Sequence, residues 1–159
     1  MLPERIAVLG ADKRLSASIA KRIAKATGLE YMDLDGYIRY SLGGLTPYQV
    51  LRRSDADYLR RRIRDCIEDA ASFEGVVIAA CPLIFTVGAD MLTCSCMCFM
   101  SEGSYDDIGS DVSLMLRIAD RAVIENNIEA ARAASIPLRR GRDGYAEEIG
   151  KVLEVLING

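Results

Sequence analysis

The sequence contains no histidine among its 159 residues, and this absence removes several kinds of catalytic site. Ser-His-Asp and Cys-His nucleophilic systems, histidine-rich zinc sites and acid-base catalysis by imidazole all need that side chain. Any catalysis must therefore use carboxylates, lysine, arginine, cysteine or backbone groups.

Long hydrophobic runs and an excess of positive charge are also missing. No uninterrupted apolar run approaches the roughly 20 residues that a membrane-spanning helix needs. Residues 1–5 lead directly into a predicted strand, so we expect no leader peptide and a cytoplasmic protein. The net charge of −3 and the pI near 5.1 argue against a general nucleic-acid binder, which is normally basic. We therefore predict neither a membrane nor a nucleic-acid partner.

Five cysteines are present, and they fit a reducing compartment better than a disulfide framework. Cys94, Cys96 and Cys98 fall within a predicted strand, where alternation would place them on one face. A soft-metal site would need a fourth ligand and usually a histidine. The pattern therefore favours small buried core residues over a metal site.

The order of predicted elements indicates a single α/β domain spanning 1–159. With 50% hydrophobic residues, the chain can form one core. Apolar runs predict strands and amphipathic periodicity predicts helices. The predicted strands are 5–10, 29–34, 76–80, 93–100 and 136–140. The predicted helices are 19–27, 35–42, 47–53, a long one from 54, 111–134 and 145–157. Alternation of this kind favours a parallel sheet covered on both faces.

The first strand, an eight-residue loop at 11–18 and the following helix have the order found at the start of P-loop small-molecule kinases. Their loop carries G-x-x-x-x-G-K-[ST], in which glycines let backbone N–H groups surround phosphate, lysine reaches the transferred group and the hydroxyl holds Mg²⁺. Here the window is Gly10 to Ala17. The first glycine of the motif is present, but Leu15 replaces the second glycine, Ser16 replaces the lysine and Ala17 replaces the hydroxyl residue. The sequence predicts a degenerate phosphate-binding loop.

Nearly the whole chain resembles the shikimate kinase family. The resemblance rests on YMDLDGYI at 31–38, GLTPYQVL at 44–51, YLRRRI at 58–63 and GVVIAACPL at 75–83. It implies a three-layer P-loop kinase-like fold in which a short parallel sheet of about five strands is flanked by helices.

The same resemblance implies roles for individual residues. Asp33 would organise Mg²⁺ and, with Lys13, is a catalytic candidate; Asp35 would bind substrate hydroxyls. Arg60 would grip a substrate carboxylate, as a planar guanidinium can. If a nucleotide binds, as in a divergent kinase with a non-standard loop, its contacts would come from Gly10, Lys13, Arg14, Ser16 and Ser18, with Ser16 or Ser18 contacting Mg²⁺. For two of these residues a purely structural role is an open alternative to ligand binding. Asp35 could be the N-cap of the next helix, and Arg60 could be a surface residue.

Other positions depart from the family pattern. Where the family has three glycines that offer N–H groups to substrate, this chain has Cys81, Pro82 and Leu83, and proline has no N–H. The arginine-bearing lid between the fourth and last strands is also not recognisable, because most of that stretch is predicted as one helix. Phosphoryl transfer is mostly positioning and electrostatic stabilisation, so losing these groups together argues against a conventional kinase.

Three functions remain open on the sequence. The first is a binding or regulatory module that needs no cofactor and holds a small polar metabolite through Asp33, Asp35 and Arg60. The second is a divergent kinase that uses ATP and Mg²⁺, with Lys13 or Arg14 in place of the missing lysine. The third is a structural or partner-binding protein whose crevice is filled by Leu15 and Leu83.

Overall fold

A computed structural model describes residues 3–140 and 146–158, and within them five strands form one parallel sheet. The strands are β1 (Arg5–Leu9), β2 (Glu30–Asp33), β3 (Val76–Ala79), β4 (Met97–Ser101) and β5 (Ile136–Leu138). Their order in the sheet is β2-β3-β1-β4-β5, and each neighbouring pair is parallel. β1 therefore lies at the centre, and its carboxyl end faces the loops that follow β3 and β4.

In the described part of the chain, eight helices flank this sheet. They are α1 (Lys13–Thr27), α2 (Leu34–Ser41), α3 (Pro47–Arg53), α4 (Ala56–Ser72), α5 (Asp90–Ser95), α6 (Val112–Ile118), α7 (Arg121–Ala133) and α8 (Ala146–Asn158). Two 3₁₀ segments, Pro82–Thr86 and Tyr105–Asp111, complete the described elements. This arrangement confirms the predicted three-layer α/β architecture.

The hydrophobic core consists of two clusters, one on each face of the sheet. Alternation along β1 sends Ile6 and Val8 to the cluster under α1 and α8, and Ala7 and Leu9 to the cluster under α4. Because β1 is covered on both faces, its sequence is a continuous apolar run and not an alternating one. The predicted stripe on α4 is also confirmed, since Leu59, Ile63 and their helical neighbours are buried.

Local sequence signals correctly predicted several helix ends. Thr46 caps α3 through a reciprocal hydrogen-bond pair with Gln49, and Pro47 occupies the first turn. Gly28 ends α1 at φ 77°, with its N–H donated to the Ala24 carbonyl. The cap of α2, however, is Asp33, whose carboxylate accepts the N–H of Asp35 at 3.1 Å. The interpretation of Asp35 as that cap was wrong by two residues, since Asp35 lies in the first turn of the helix.

The predicted start of α1 was also wrong. The helix begins at Lys13 and not at residue 19, so the connection from β1 consists of Gly10 to Asp12 alone. Asp12 is extended, at φ −107° and ψ 108°, and acts as the N-cap. An aspartate followed by good helix formers is a strong helix start, and no second glycine interrupts it.

Two further predictions fail between β3 and β5. The strand predicted at 93–100 is split, because Thr93 and Cys94 belong to α5 and only the later residues form β4. Leu92 of α5 is fully buried, so tertiary packing decides the conformation there. As a result, Cys94 is exposed, Cys96 is half-buried and Cys98 is buried, and the three do not share a strand face.

The single helix predicted at 111–134 is two helices. Ala119 and Asp120 are extended between α6 and α7, with ψ values of 158° and 151°. Aspartate is favoured at such a helix start. The predicted loop at 101–110 also contains most of the Tyr105–Asp111 segment.

The remaining sequence predictions concern the end of the chain and membranes. The last strand ends at Leu138 and not at residue 140. Tyr145, predicted to start the last helix, lies outside the described residues, and α8 is described from Ala146. In the part of the chain that the structure describes, no helix has the length and apolar character needed to cross a membrane.

Candidate functional site

The N-terminus of α1 is occupied by the chain's own carboxylate. Asp12 Oδ1 accepts the backbone N–H of Arg14 at 3.0 Å and that of Leu15 at 3.2 Å. The N–H of Ser16 is donated to the Asp12 carbonyl at 3.0 Å. The first free amides of a helix are the groups that bind phosphate, and the helix dipole favours an anion there. In this chain Asp12 supplies that negative charge.

Two buried hydroxyls surround Gly10 behind this cap. Ser16 Oγ and Ser101 Oγ are both buried and have no hydrogen-bond partner within the described residues. A Cβ added to Gly10 would lie 2.2 Å from Ser101 Oγ and 3.3 Å from Ser16 Oγ. Close packing against Ser101 and a positive φ of 158° both favour glycine at this position. The Ser16 side chain points into the protein, away from solvent.

A crevice opens at the carboxyl ends of β2 and β3, beside the start of α1. It consists of two adjoining cavities of about 200 and 170 Å³ that share Lys13, Asp35 and Cys81. The smaller is also lined by Arg14 and Asp33, and the larger by Arg39, Tyr48, Leu83 and Asp111. Doubly wound sheets bind ligands at this edge. The structure thus brings together Lys13, Arg14, Asp33 and Asp35 of the sequence-predicted set.

An ion pair crosses the crevice from α1 to α2. Lys13 Nζ lies 3.8 Å from Asp35 Oδ2, and the two side chains are 47% and 27% exposed. Such a half-exposed pair contributes at most about 1 kcal/mol to stability. Both groups therefore remain available to a ligand at little energetic cost.

Three lining residues were missed by the sequence reasoning. Arg39 lies one helical turn after Asp35 on α2, so the i, i+4 spacing could have found it. Tyr48 holds its hydroxyl 2.9 Å from Ser113 Oγ, which ties α3 to α6 beside the crevice. Asp111 comes from the end of the second 3₁₀ segment, and no sequence signal pointed to it.

Arg60 lies elsewhere. Its guanidinium donates to the Ile118 carbonyl and to the Asp57 carboxylate, and it borders a different cavity, between α4, α6 and α7. The structure does not bring Arg60 together with Asp33 and Asp35, and its role in substrate binding stays a prediction. Ser18, another predicted contact, is exposed on α1.

Several solved structures are similar to this chain over nearly its whole length. A shikimate kinase from Acinetobacter baumannii, in complex with shikimate, superposes with a TM-score of 0.73 at 14% identity, over 99% of this chain and 94% of that one. Shikimate kinase from Aquifex aeolicus gives 0.72 at 14% identity, over 98% and 96%. The chain has a shikimate-kinase-like P-loop fold. A gluconokinase from Sinorhizobium meliloti 1021 gives a lower TM-score of 0.53 at 16% identity, over 99% and 93%.

Sequence comparison adds nothing to this fold assignment. No protein-family model matches the chain, and no curated protein sequence matches it either. At identities of 14 to 17% the solved structures establish the shikimate-kinase-like fold alone. Activity must be argued from the residues of the crevice.

The start of α1 does not offer a nucleotide the free N–H groups and exposed hydroxyl of a standard phosphate-binding loop. The N–H groups of Arg14 and Leu15 are already bonded to Asp12, and the Ser16 hydroxyl is buried. Among residues 3–140 and 146–158, no three cysteine, aspartate or glutamate side chains are close enough to hold a metal ion. Asp33 as a magnesium ligand stays a prediction.

The wall of the crevice at Cys81 to Leu83 is tightly packed. The Pro82–Thr86 segment is buried throughout, and the Cys81 carbonyl accepts the Ile84 N–H at 3.2 Å. Burial, and secondarily the nearby Asp35 carboxylate, raise the pKa of the Cys81 thiol above its ordinary value. Cys81 is therefore a neutral packing residue and not a nucleophile.

Thiol labelling tests this assignment. Because alkylation needs the thiolate and access to it, we expect iodoacetamide near neutral pH to modify exposed Cys94 first and to leave Cys81 unmodified until the protein is unfolded. Peptide mass spectrometry over a time course measures both sites. Cys94→Ser provides the control. Labelling of Cys81 in the folded protein at a rate similar to that of Cys94 would contradict the buried thiol.

Proposed function

We propose that this chain uses its crevice to bind a small polar metabolite, without ordinary ATP-dependent phosphotransfer. The observation that supports the proposal most directly is the Asp12 carboxylate on the N–H groups of Arg14 and Leu15. A nucleotide phosphate at that helix end would have to displace a tethered anion and would meet its negative charge. The crevice beside it is unaffected by this cap and stays open to other ligands.

The chemistry of the crevice favours a hydroxylated carboxylate. Lys13 and Arg39 supply positive charge, Asp35 and Asp111 can accept hydrogen bonds from hydroxyl groups, and Leu83 provides an apolar wall. One structural relative was solved in complex with shikimate, a molecule of this class. Each cavity alone is smaller than the roughly 300 Å³ at which drug-sized pockets begin, so a ligand confined to one of them would be small.

A divergent kinase is the second candidate. Its support is that Lys13 and Arg14 line the same cavity as Asp33 and Asp35, so two cations and two carboxylates converge there. The third candidate is a protein-binding or structural role with a filled crevice. Its support is the burial of Leu83 and of the whole Pro82–Thr86 segment. In all three, the cytoplasmic location and the absence of nucleic-acid and membrane partners stay predictions.

Ligand binding to the purified protein separates the three candidates. Thermal shift and calorimetry would be run with shikimate, gluconate and MgATP, because a ligand of the folded state raises the melting temperature by mass action. We expect stabilisation by a hydroxylated carboxylate and no tight binding of MgATP. Lys13→Gln and Asp35→Asn should each weaken carboxylate binding about tenfold, since each removes a charged contact. Arg22→Gln, on the exposed face of the same helix, is the matched control.

The outcomes are distinct. A dissociation constant for MgATP in the low micromolar range would contradict the proposal and favour the divergent kinase. Binding of neither MgATP nor a hydroxylated carboxylate would favour a filled crevice. Equal loss of binding in Arg22→Gln and Lys13→Gln would place the ligand outside the crevice.

A further inference from the structure

A second and larger cavity lies on the far side of the Pro82–Thr86 segment from the crevice. Its volume is about 490 Å³, within the usual range for small-molecule sites. The walls come from α4, the end of α6 and the start of α7, and Thr86 lies at its base. The crevice contacts the same segment at Pro82 and Leu83. We call this cavity the arginine pocket, after Arg60, Arg64 and Arg117 in its lining.

The three arginines have different surroundings. The Arg60 guanidinium is engaged with the Ile118 carbonyl and with Asp57, so it joins α4 to α6 and holds the wall in place. Arg64 and Arg117 are exposed, and neither makes an ion pair with any residue in the described ranges. These two guanidinium groups are therefore available to a ligand.

The charge of the arginine pocket is opposite to that of the whole chain. The protein carries a net charge of −3, whereas the pocket lining contains three arginines and one acid, Asp120. Arginine presents planar, forked N–H donors that match carboxylate and phosphate oxygens. A local excess of such donors attracts anions and keeps cations away.

The arginine pocket also has apolar edges. Leu116 and Val123 line it and are 46% and 44% exposed. At its base, Asn127 is fixed by donating Nδ2 to the Phe85 carbonyl at 2.7 Å. A ligand that covered Leu116 and Val123 would remove apolar surface from water while its charged end met the arginines.

From this combination we infer that the arginine pocket binds a small organic anion with an apolar body, held at its carboxylate or phosphate end by Arg64 and Arg117. The site is separate from the crevice and shares none of its lining residues. It therefore does not depend on the proposed function of the crevice.

Titration with two matched probes tests the inference. Benzoate and phenyl phosphate share an aromatic body and differ in the charged end, and inorganic phosphate at equal ionic strength lacks the apolar body. We expect one of the two organic anions to bind at least about tenfold more tightly than inorganic phosphate, with amide shifts of Ala119 and Val123 in nuclear magnetic resonance spectra. The double variant Arg64→Gln, Arg117→Gln should lose about tenfold or more in affinity.

Arg61→Gln is the control for the Arg64 substitution, because it removes one positive charge from an exposed position of the same helix, outside the pocket lining. Its affinity should be unchanged, as should that of Lys13→Gln in the crevice. Circular dichroism confirms that each variant folds, and the amide shifts in the wild-type protein test the site without any substitution. The inference is overturned if neither organic anion binds at millimolar concentration, if the double variant binds as well as wild type, or if the shifts map to the crevice.

Discussion

Replacing Asp12 with glycine is expected to raise the affinity of the N-terminus of α1 for inorganic phosphate at least about tenfold. The substitution removes the carboxylate from the N–H groups of Arg14 and Leu15. Those donors then face solvent beside the positive side chains of Lys13 and Arg14, so an external anion can replace the internal one. Calorimetric titration of phosphate into wild type and variant measures the change.

Asp12→Asn is the control for charge. Its side-chain oxygen can still accept the same N–H groups, so it should gain much less phosphate affinity than the glycine variant. Glycine at an N-cap costs only a few tenths of a kcal/mol relative to aspartate, and folding should survive. Phosphate affinity that is equal in wild type and in Asp12→Gly would show that the cap does not control access to the helix end.

Gly10→Ala is expected to destabilise the protein by about 2 kcal/mol or more. The new Cβ would lie 2.2 Å from Ser101 Oγ in a region where both neighbouring hydroxyls are buried. Interiors packed at this density do not absorb such an overlap without moving side chains or backbone. Urea unfolding monitored by circular dichroism gives the difference in the free energy of unfolding.

A double-mutant cycle identifies the cause. Ser101→Ala alone should be nearly neutral, because Ser101 Oγ is buried without a partner. In the double variant the nearest Ser101 atom left is its Cβ, at 3.5 Å from the new methyl group, which is an ordinary contact. We therefore expect Ser101→Ala to recover part of the stability lost in Gly10→Ala, and the positive φ of 158° at Gly10 accounts for the remainder. A full loss that persists in the double variant would assign the cost to the backbone of Gly10.

Much of the fold followed from local sequence signals. Continuous apolar runs identified β1 and β3, the stripe on α4 gave its buried face, and Thr46 with Pro47 marked the start of α3. The strand register and the order β2-β3-β1-β4-β5 depend on crossovers that the sequence pattern does not encode directly. The strand at 93–100 was misplaced because the strand preference of Thr93 was overridden by tertiary packing, in which the burial of Leu92 favours a helix.

The candidate site was predictable in part. Asp33 and Asp35 could be placed at the carboxyl end of the sheet because parallel strands with right-handed crossovers bring such ends together. The role of Asp12 was missed because the aligned kinase motif suggested a loop through 11–18, although Asp12 before Lys13 is itself a helix start signal. The direction of the Arg60 side chain depends on the position of the Ile118 carbonyl, far away in sequence, and no local pattern contains it.

The Asp12 cap also changes what this helix end can sense. The occupancy of a nucleotide-binding site depends on the nucleotide concentration in solution. The Asp12 carboxylate is instead attached to the chain beside the N–H groups that it contacts, so its local concentration there is set by the chain itself. The Asp12 contacts form when the chain folds, so this helix end is occupied without any external ligand. Under the function proposed above, ligands would bind in the neighbouring cavities, and the capped helix end would be a fixed part of their surroundings.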